Sequence, residues 1–184
     1  ATGFYKTPKI HYDPQTMSGR PFYYFAYGAA VSEVEVDTLT GEYRVQQVDI
    51  LHDVGESLNP ALDIGQIEGG FVQGMGWLTT EELWWDQDGR LRTHAPSAYI
   101  NPVAGDVPER FTVRLVDKKP NREATIYRSK AVGEPPLMLA MSVFFALKDA
   151  VESVGDYQQR SGLRAPATPE AVLMAIESLR ERVI

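Results

Sequence analysis

Between Asn59 and Leu78 five glycines, Gly65, Gly69, Gly70, Gly74 and Gly76, interrupt what otherwise reads as one helix. Asn59-Pro60 is a helix-start signal. Asparagine caps free amides of the first turn, and proline, with its fixed φ and missing N–H, suits the first helical position. Each glycine inside a helix costs about 1 kcal/mol against alanine. A segment that keeps five of them needs their missing side chains, which points to close backbone approach by another element or by a ligand. Gly-xxx-Gly spacing also occurs in membrane helices, but Asp63, Gln66, Glu68 and Gln73 on this segment oppose a lipid-buried face.

A second stretch is as restrictive. In Ser129-Lys130-Ala131-Val132-Gly133-Glu134-Pro135-Pro136-Leu137 one carboxylate stands between a glycine and two prolines, ahead of the almost wholly apolar run Leu137 to Leu147. The prolines place Glu134 at a helix entrance, beside amides that no intrahelical bond uses. On pattern alone Glu134 is a capping carboxylate that favours the helix dipole. The same frame also suits a general base, which needs a rigid mount and a dry, low-dielectric setting that raises its pKa.

The rest of the chain supplies a scaffold. Residues 1 to 20 read as an extended lead-in that packs on another surface. Pro21 to Val36 and Tyr43 to Asp53 read as strands joined by the turn Asp37 to Glu42. Glu82 to Trp85 and Arg90 to Thr93 flank Asp86-Gln87-Asp88-Gly89 as a second hairpin. Pro96 to Pro108 reads as loop, and Phe111 to Asp117 alternates as a half-buried strand. Pro136 to Ser153 is a helix apolar nearly all round, hence central. Gly155 to Ala167 is a polar linker, and Thr168-Pro169-Glu170 opens a terminal helix with Val172, Leu173, Ile176 and Leu179 on one face. The sum is an α+β domain of hairpins and mixed sheet, with a glycine-rich helix and a buried apolar helix.

With 184 residues, 43% of them hydrophobic, the chain can build one domain with a sizeable core. A net charge of −7 without a local basic patch opposes a nucleic-acid surface. The absence of cysteine excludes disulfides, thiolate zinc and cysteine-held iron–sulfur clusters on this chain. His11, His52 and His94 lack metal-ligand spacing and read as surface or hydrogen-bonded core residues, so no metal ligand is expected. No signal-peptide pattern opens the chain, and Pro135 to Leu147 is too short to span a bilayer, so a cytoplasmic location is expected.

The wording of both stretches is more specific than their local roles require. Ser129 to Leu137, with Gly65-Gln66-Ile67-Glu68-Gly69-Gly70-Phe71-Val72-Gln73-Gly74, closely resembles the molybdenum-binding part of the xanthine dehydrogenase family of molybdenum hydroxylases. Ala1 to Tyr5 and Asp53 to Ala61 resemble it too, in order, and the likeness runs to about residue 152. It implies that residues 1–184 are the C-terminal portion of a larger molybdopterin-binding domain. It also implies that Glu134 is the catalytic general base, taking the proton from the hydroxyl that attacks an electron-poor ring carbon. Gln66 is implied to contact the molybdenum–molybdopterin cofactor, and Val132 and Gly133 to contact it through backbone.

From spacing alone Gln66 is a helix-to-backbone bond in a packing seam, and Gln73 stays structural in either reading. Trp77, Trp84 and Trp85 read as core or subunit contacts, and Glu68, Glu81 and Glu82 as solvated or paired charges. Lys130 suits a carboxylate or phosphate partner, and equally a plain surface position. The residues that orient and sandwich a purine in the family are expected to precede residue 1. Iron–sulfur clusters and FAD are expected on partner chains, so this chain is expected to act, and to be stable, only in complex. The implied activity is hydroxylation of hypoxanthine to xanthine to urate. A related hydroxylase of aldehydes or other N-heterocycles, and a noncatalytic assembly subunit, are the alternatives.

Overall fold

The computed structural model describes residues 1–117 and 119–181. Its centre is a three-stranded sheet in the order β3 (Gly28–Val36), β4 (Tyr43–His52), β5 (Arg110–Leu115). β3 and β4 form an antiparallel hairpin with a bulge between Glu33 and Val34, and β5 lies parallel to β4, Gln47 facing Arg110 and His52 facing Leu115. A parallel pair needs a long crossover. Here it holds α1 (Pro60–Thr79), with Asn59 accepting from the Leu62 amide as its cap. This matches the helix start and extent expected from Asn59-Pro60.

One face of the sheet forms the core. Val48 and Ile50 are buried with Ile67, Phe71 and Met75 of α1 and Val143, Leu147 and Val151 of α2 (Met141–Ser153). Phe71 meets Phe111 of β5 at 5.4 Å between ring centres. α3 (Pro169–Glu181) closes the far end with Val172, Ala175, Ile176 and Leu179. Between α2 and α3, Ser161 donates through its amide and hydroxyl to Glu152, while Leu163 and Ala167 join the core. The result is the mixed α+β arrangement expected from the pattern.

Several local expectations change. The lead-in contains a short hairpin, β1 (His11–Asp13) with β2 (Ser18–Arg20), closed where Asp13 accepts from the Gln15 amide and the Thr16 hydroxyl. Pro21 to Tyr27 stays outside β3. Trp85 and Leu91 form only a single bridge, so the second hairpin has a turn without strands. The proline pair starts a 3₁₀ turn, Pro135–Ala140, before α2 begins. α2 is buried along one stripe while Phe145 faces solvent, because a single sheet and α1 can cover only part of an apolar helix. Among the described residues, no helix is long and apolar enough to cross a membrane.

Candidate functional site

The glycine-rich helix and the Pro135–Ala140 turn pack against each other, and the glycines explain how. A Cβ on Gly70 would lie 3.2 Å from Pro136 Cβ, and one on Gly74 would collide with the Leu137 carbonyl oxygen and lie 2.9 Å from Ala140 Cβ. Gly70 and Gly74 thus admit another element of the chain, and Gly76 is crowded in the same way by Pro102 and Glu81. Gly65 and Gly69 differ: a Cβ at either would meet nothing within 4 Å. They leave a shallow backbone floor on the exposed side of α1.

Gln66 stands beside that floor. Its side chain is exposed, and among the described residues its amide makes no hydrogen bond, so the helix-to-backbone reading fails. Its Oε1 lies 3.6 Å from where a Gly133 Cβ would be. Two segments separated by more than sixty residues therefore meet at one rim, Gln66 from α1 and Val132-Gly133-Glu134 from the loop ahead of Pro135. Val132 packs partly on the core. Among the described residues, the amides of Val132, Gly133 and Glu134 have no backbone carbonyl partner. Gln73, on the same helix, is exposed outside this meeting point.

Glu134 is the residue ahead of the 3₁₀ turn, and its carbonyl accepts from the Leu137 amide at 3.1 Å. Its carboxylate makes no capping bond. The plain capping role is therefore absent. The apolar run behind it buries Pro136 and Ala140 but leaves the carboxylate exposed on this chain, unlike the dry setting expected from sequence.

The loop is held from its other side by Lys130, with partners that the sequence did not identify. Lys130, for which surface and paired positions were equally open, is buried at its ammonium. It forms an ion pair with Asp53 at 2.5 Å, donates to the Phe25 carbonyl at 2.9 Å and lies 4.9 Å from the Tyr27 ring centre. The Ala131 amide donates to the Tyr24 hydroxyl, and the Lys130 amide to the Val54 carbonyl. Just upstream, Tyr127 and Arg128 have φ of 48° and 60°. Consecutive left-handed residues other than glycine are strained positions that persist only where surroundings enforce them. Here the Arg128 carbonyl accepts from the amides of Glu56 and Asn121.

Two further buried polar residues fall outside the expectations. His52, at the end of β4, is 1% exposed with neither ring nitrogen hydrogen-bonded. Burial lowers its pKa; the nearby Asp53 carboxylate opposes this, and Lys130 adds to it. Glu81 is buried rather than solvated, and its carboxylate near the Tyr99 hydroxyl raises that phenol's pKa. Trp77, Trp84 and Trp85 are each about half exposed, so none is core on this chain. Among the described residues no three His, Asp or Glu side chains converge as a metal site.

An open floor without side chains, a free amide, three unbonded backbone N–H groups and a carboxylate thus lie along one rim. The donors and acceptors suit a rigid, polar, flat group held close to backbone, with no metal bond to the protein required. The chain belongs to the molybdopterin cofactor-binding domain family, whose model matches residues 1–108. It is 54% identical over 177 residues to rat xanthine dehydrogenase/oxidase, covering 94% of this chain and 13% of the relative. The aldehyde oxidoreductase from Desulfovibrio gigas superposes with a TM-score of 0.71 at 30% identity, over 91% of this chain and 17% of that one. A CO dehydrogenase from Oligotropha carboxidovorans shares the fold at a TM-score of 0.75 and 20% identity, over 85% of this chain and 19% of that one. The chain thus spans a small part of the length of these relatives.

Proposed function

We propose that this chain forms one wall of the molybdopterin site of a purine-hydroxylating molybdenum enzyme and contributes its general base. One observation carries the reading. Glu134 is mounted at a helix entrance without capping it, on the loop that faces the unbonded amide of Gln66. Bound at this wall, molybdenum–molybdopterin would supply the two-electron acceptor and the oxygen-activating centre. Gln66 and the backbone N–H groups of Val132 and Gly133 would hold and orient it. The floor at Gly65 and Gly69 would allow it near the backbone. Glu134 would take the proton from the attacking hydroxyl, a role for which its carboxylate is unspent by local bonds.

The remaining polypeptide of the domain would close the rim, excluding water from Glu134 and supplying the residues that orient the purine. Electrons would leave through iron–sulfur clusters and FAD on partner segments or chains, in the cytoplasm. The 54% identity to a xanthine dehydrogenase/oxidase favours purines over aldehydes. The test is turnover by the assembled native protein carrying this chain. Hypoxanthine and xanthine should be converted to urate with molybdenum present, far faster than simple aldehydes or quinoline are oxidised. Preferred oxidation of an aldehyde or quinoline would replace the purine assignment. Full molybdenum content without turnover of any of them would favour an assembly role.

A further inference from the structure

Lys130, four residues before Glu134, forms a buried ion pair with Asp53 that belongs to no part of the rim itself. Its side chains are each 8% exposed, by far the most enclosed ion pair among the described residues whose charges come from separate elements. The lysine has three donors. One meets Asp53, one meets the Phe25 carbonyl, and the Tyr27 ring face covers a third side. Asp53 is fixed in turn, because its second oxygen accepts from the Gly55 amide at 2.8 Å. Gly55 pairs with Ser129 across an isolated bridge. The clamp therefore ties the end of β4, the Tyr24–Tyr27 segment and the start of the Glu134 loop at one point.

Downstream, the loop has little else. Val132 touches the core, and the next backbone anchor is the Glu134 carbonyl bonded to Leu137. The direction of the loop between residue 131 and the proline turn is thus set at its two ends. A buried ion pair is a weak source of net stability, since desolvation offsets most of its attraction. Its value lies in geometry: the ammonium finds all its partners at only one position of the loop.

We infer that Lys130, through Asp53 and Tyr27, is a positioning residue that sets where the Glu134 carboxylate stands relative to the rim. This rests on the general-base reading above. It predicts that removing the charges while keeping bulk loosens the loop without emptying the site. Lys130→Met alone strands the Asp53 charge, so the informative variant is the pair Lys130→Met with Asp53→Asn, in the assembled protein.

Two readouts are needed, one independent of activity. Hydrogen exchange of the Lys130 and Ala131 amides, bonded to the Val54 carbonyl and the Tyr24 hydroxyl, should speed up by at least about tenfold, while that of α2 and α3 stays unchanged. The limiting rate of reduction by xanthine should fall about 10- to 100-fold with molybdenum content and substrate affinity retained, as expected for a base displaced by a fraction of an ångström to an ångström. Lys130→Arg, which keeps the charge but cannot enter the same enclosed site with three compact donors, should not restore the rate. Wild-type exchange and wild-type rate in the double variant would overturn the inference. If the double variant misassembles, Tyr27→Leu, which removes only the ring over the ammonium, must show the same local exchange change or the inference fails. Glu134→Gln is run alongside: a normal rate in that variant rejects the general-base reading itself. A dead Glu134→Gln with a normal double variant rejects only the clamp.

Discussion

The roles proposed for Glu134 and Gln66 rest on side chains that make no local hydrogen bond. Glu134 sits where a carboxylate ordinarily caps a helix, yet makes no cap, and Gln66 leaves both ends of its amide free beside Gly133. If Gln66 bonds the cofactor, Gln66→Ala removes a partner from a buried polar group in the assembled protein, which costs about 1–3 kcal/mol. Molybdenum content should fall or reduction slow, while Gln73→Ala does much less; metal analysis of both purified variants decides. His52 gives a separate, pH-dependent signature. With its folded pKa below the ordinary value near 6.5, the neutral ring is the form that suits the fold. The unfolded chain binds more protons between the two values, so stability is complete above about pH 6.5 and declines as pH falls through the lowered folded value. His52→Leu leaves no unbonded ring nitrogen, and should flatten the melting-temperature difference between pH 5 and 7.5. An unchanged slope would show that His52 does not titrate on unfolding. At this scale motif wording marked Glu134, Gln66, Val132 and Gly133 as candidates, and the fold brings Gln66 beside Gly133. For Lys130 the sequence offered a carboxylate partner but could not name Asp53, because a pair 77 positions apart leaves no local pattern.

At the scale of elements, α1 shows two uses for one residue type. Gly70 and Gly74 admit the Pro135–Ala140 turn, whereas Gly65 and Gly69 face open space on this chain. Gly74→Ala should cost about 1–3 kcal/mol through overpacking against Leu137 and Ala140. Gly69→Ala should raise intrinsic helix stability by about 1 kcal/mol, yet lower molybdenum retention in the assembled protein if the floor lies against the cofactor. Thermal melting and metal content together separate the two; equal loss of stability in both variants would remove the distinction. α1 was legible because Asn59-Pro60 is a local cap and its glycines a local anomaly. The parallel pairing of β5 with β4 was not, because register between distant strands is set by tertiary packing rather than by neighbours in sequence. The second hairpin failed for a related reason. Its turn is encoded by Asp86 to Gly89, where Gly89 takes φ of 76°, but Trp84 and Trp85 lack a covering layer on this chain.

At the scale of the whole molecule, the outer face of α1, the three tryptophans and the Glu134 carboxylate are open to solvent on this chain. The mixed fold, the family and the glycine-rich helix were foreseen in the sequence. The wetness of Glu134 was not, because whether a carboxylate is dry depends on surfaces that residue pattern cannot place. In the assembled protein, Glu134→Gln keeps size and polarity but removes the capacity to accept a proton. Loss of a general base costs about 10²–10⁴-fold in rate, whereas loss of a cap costs roughly 1 kcal/mol of stability and leaves rate intact. Rapid-reaction reduction of that variant by xanthine, with molybdenum content measured on the same sample, tells these apart. Full molybdenum occupancy with reduction slowed at least about 100-fold is the expected result; near-normal reduction at full occupancy would contradict the role given to Glu134.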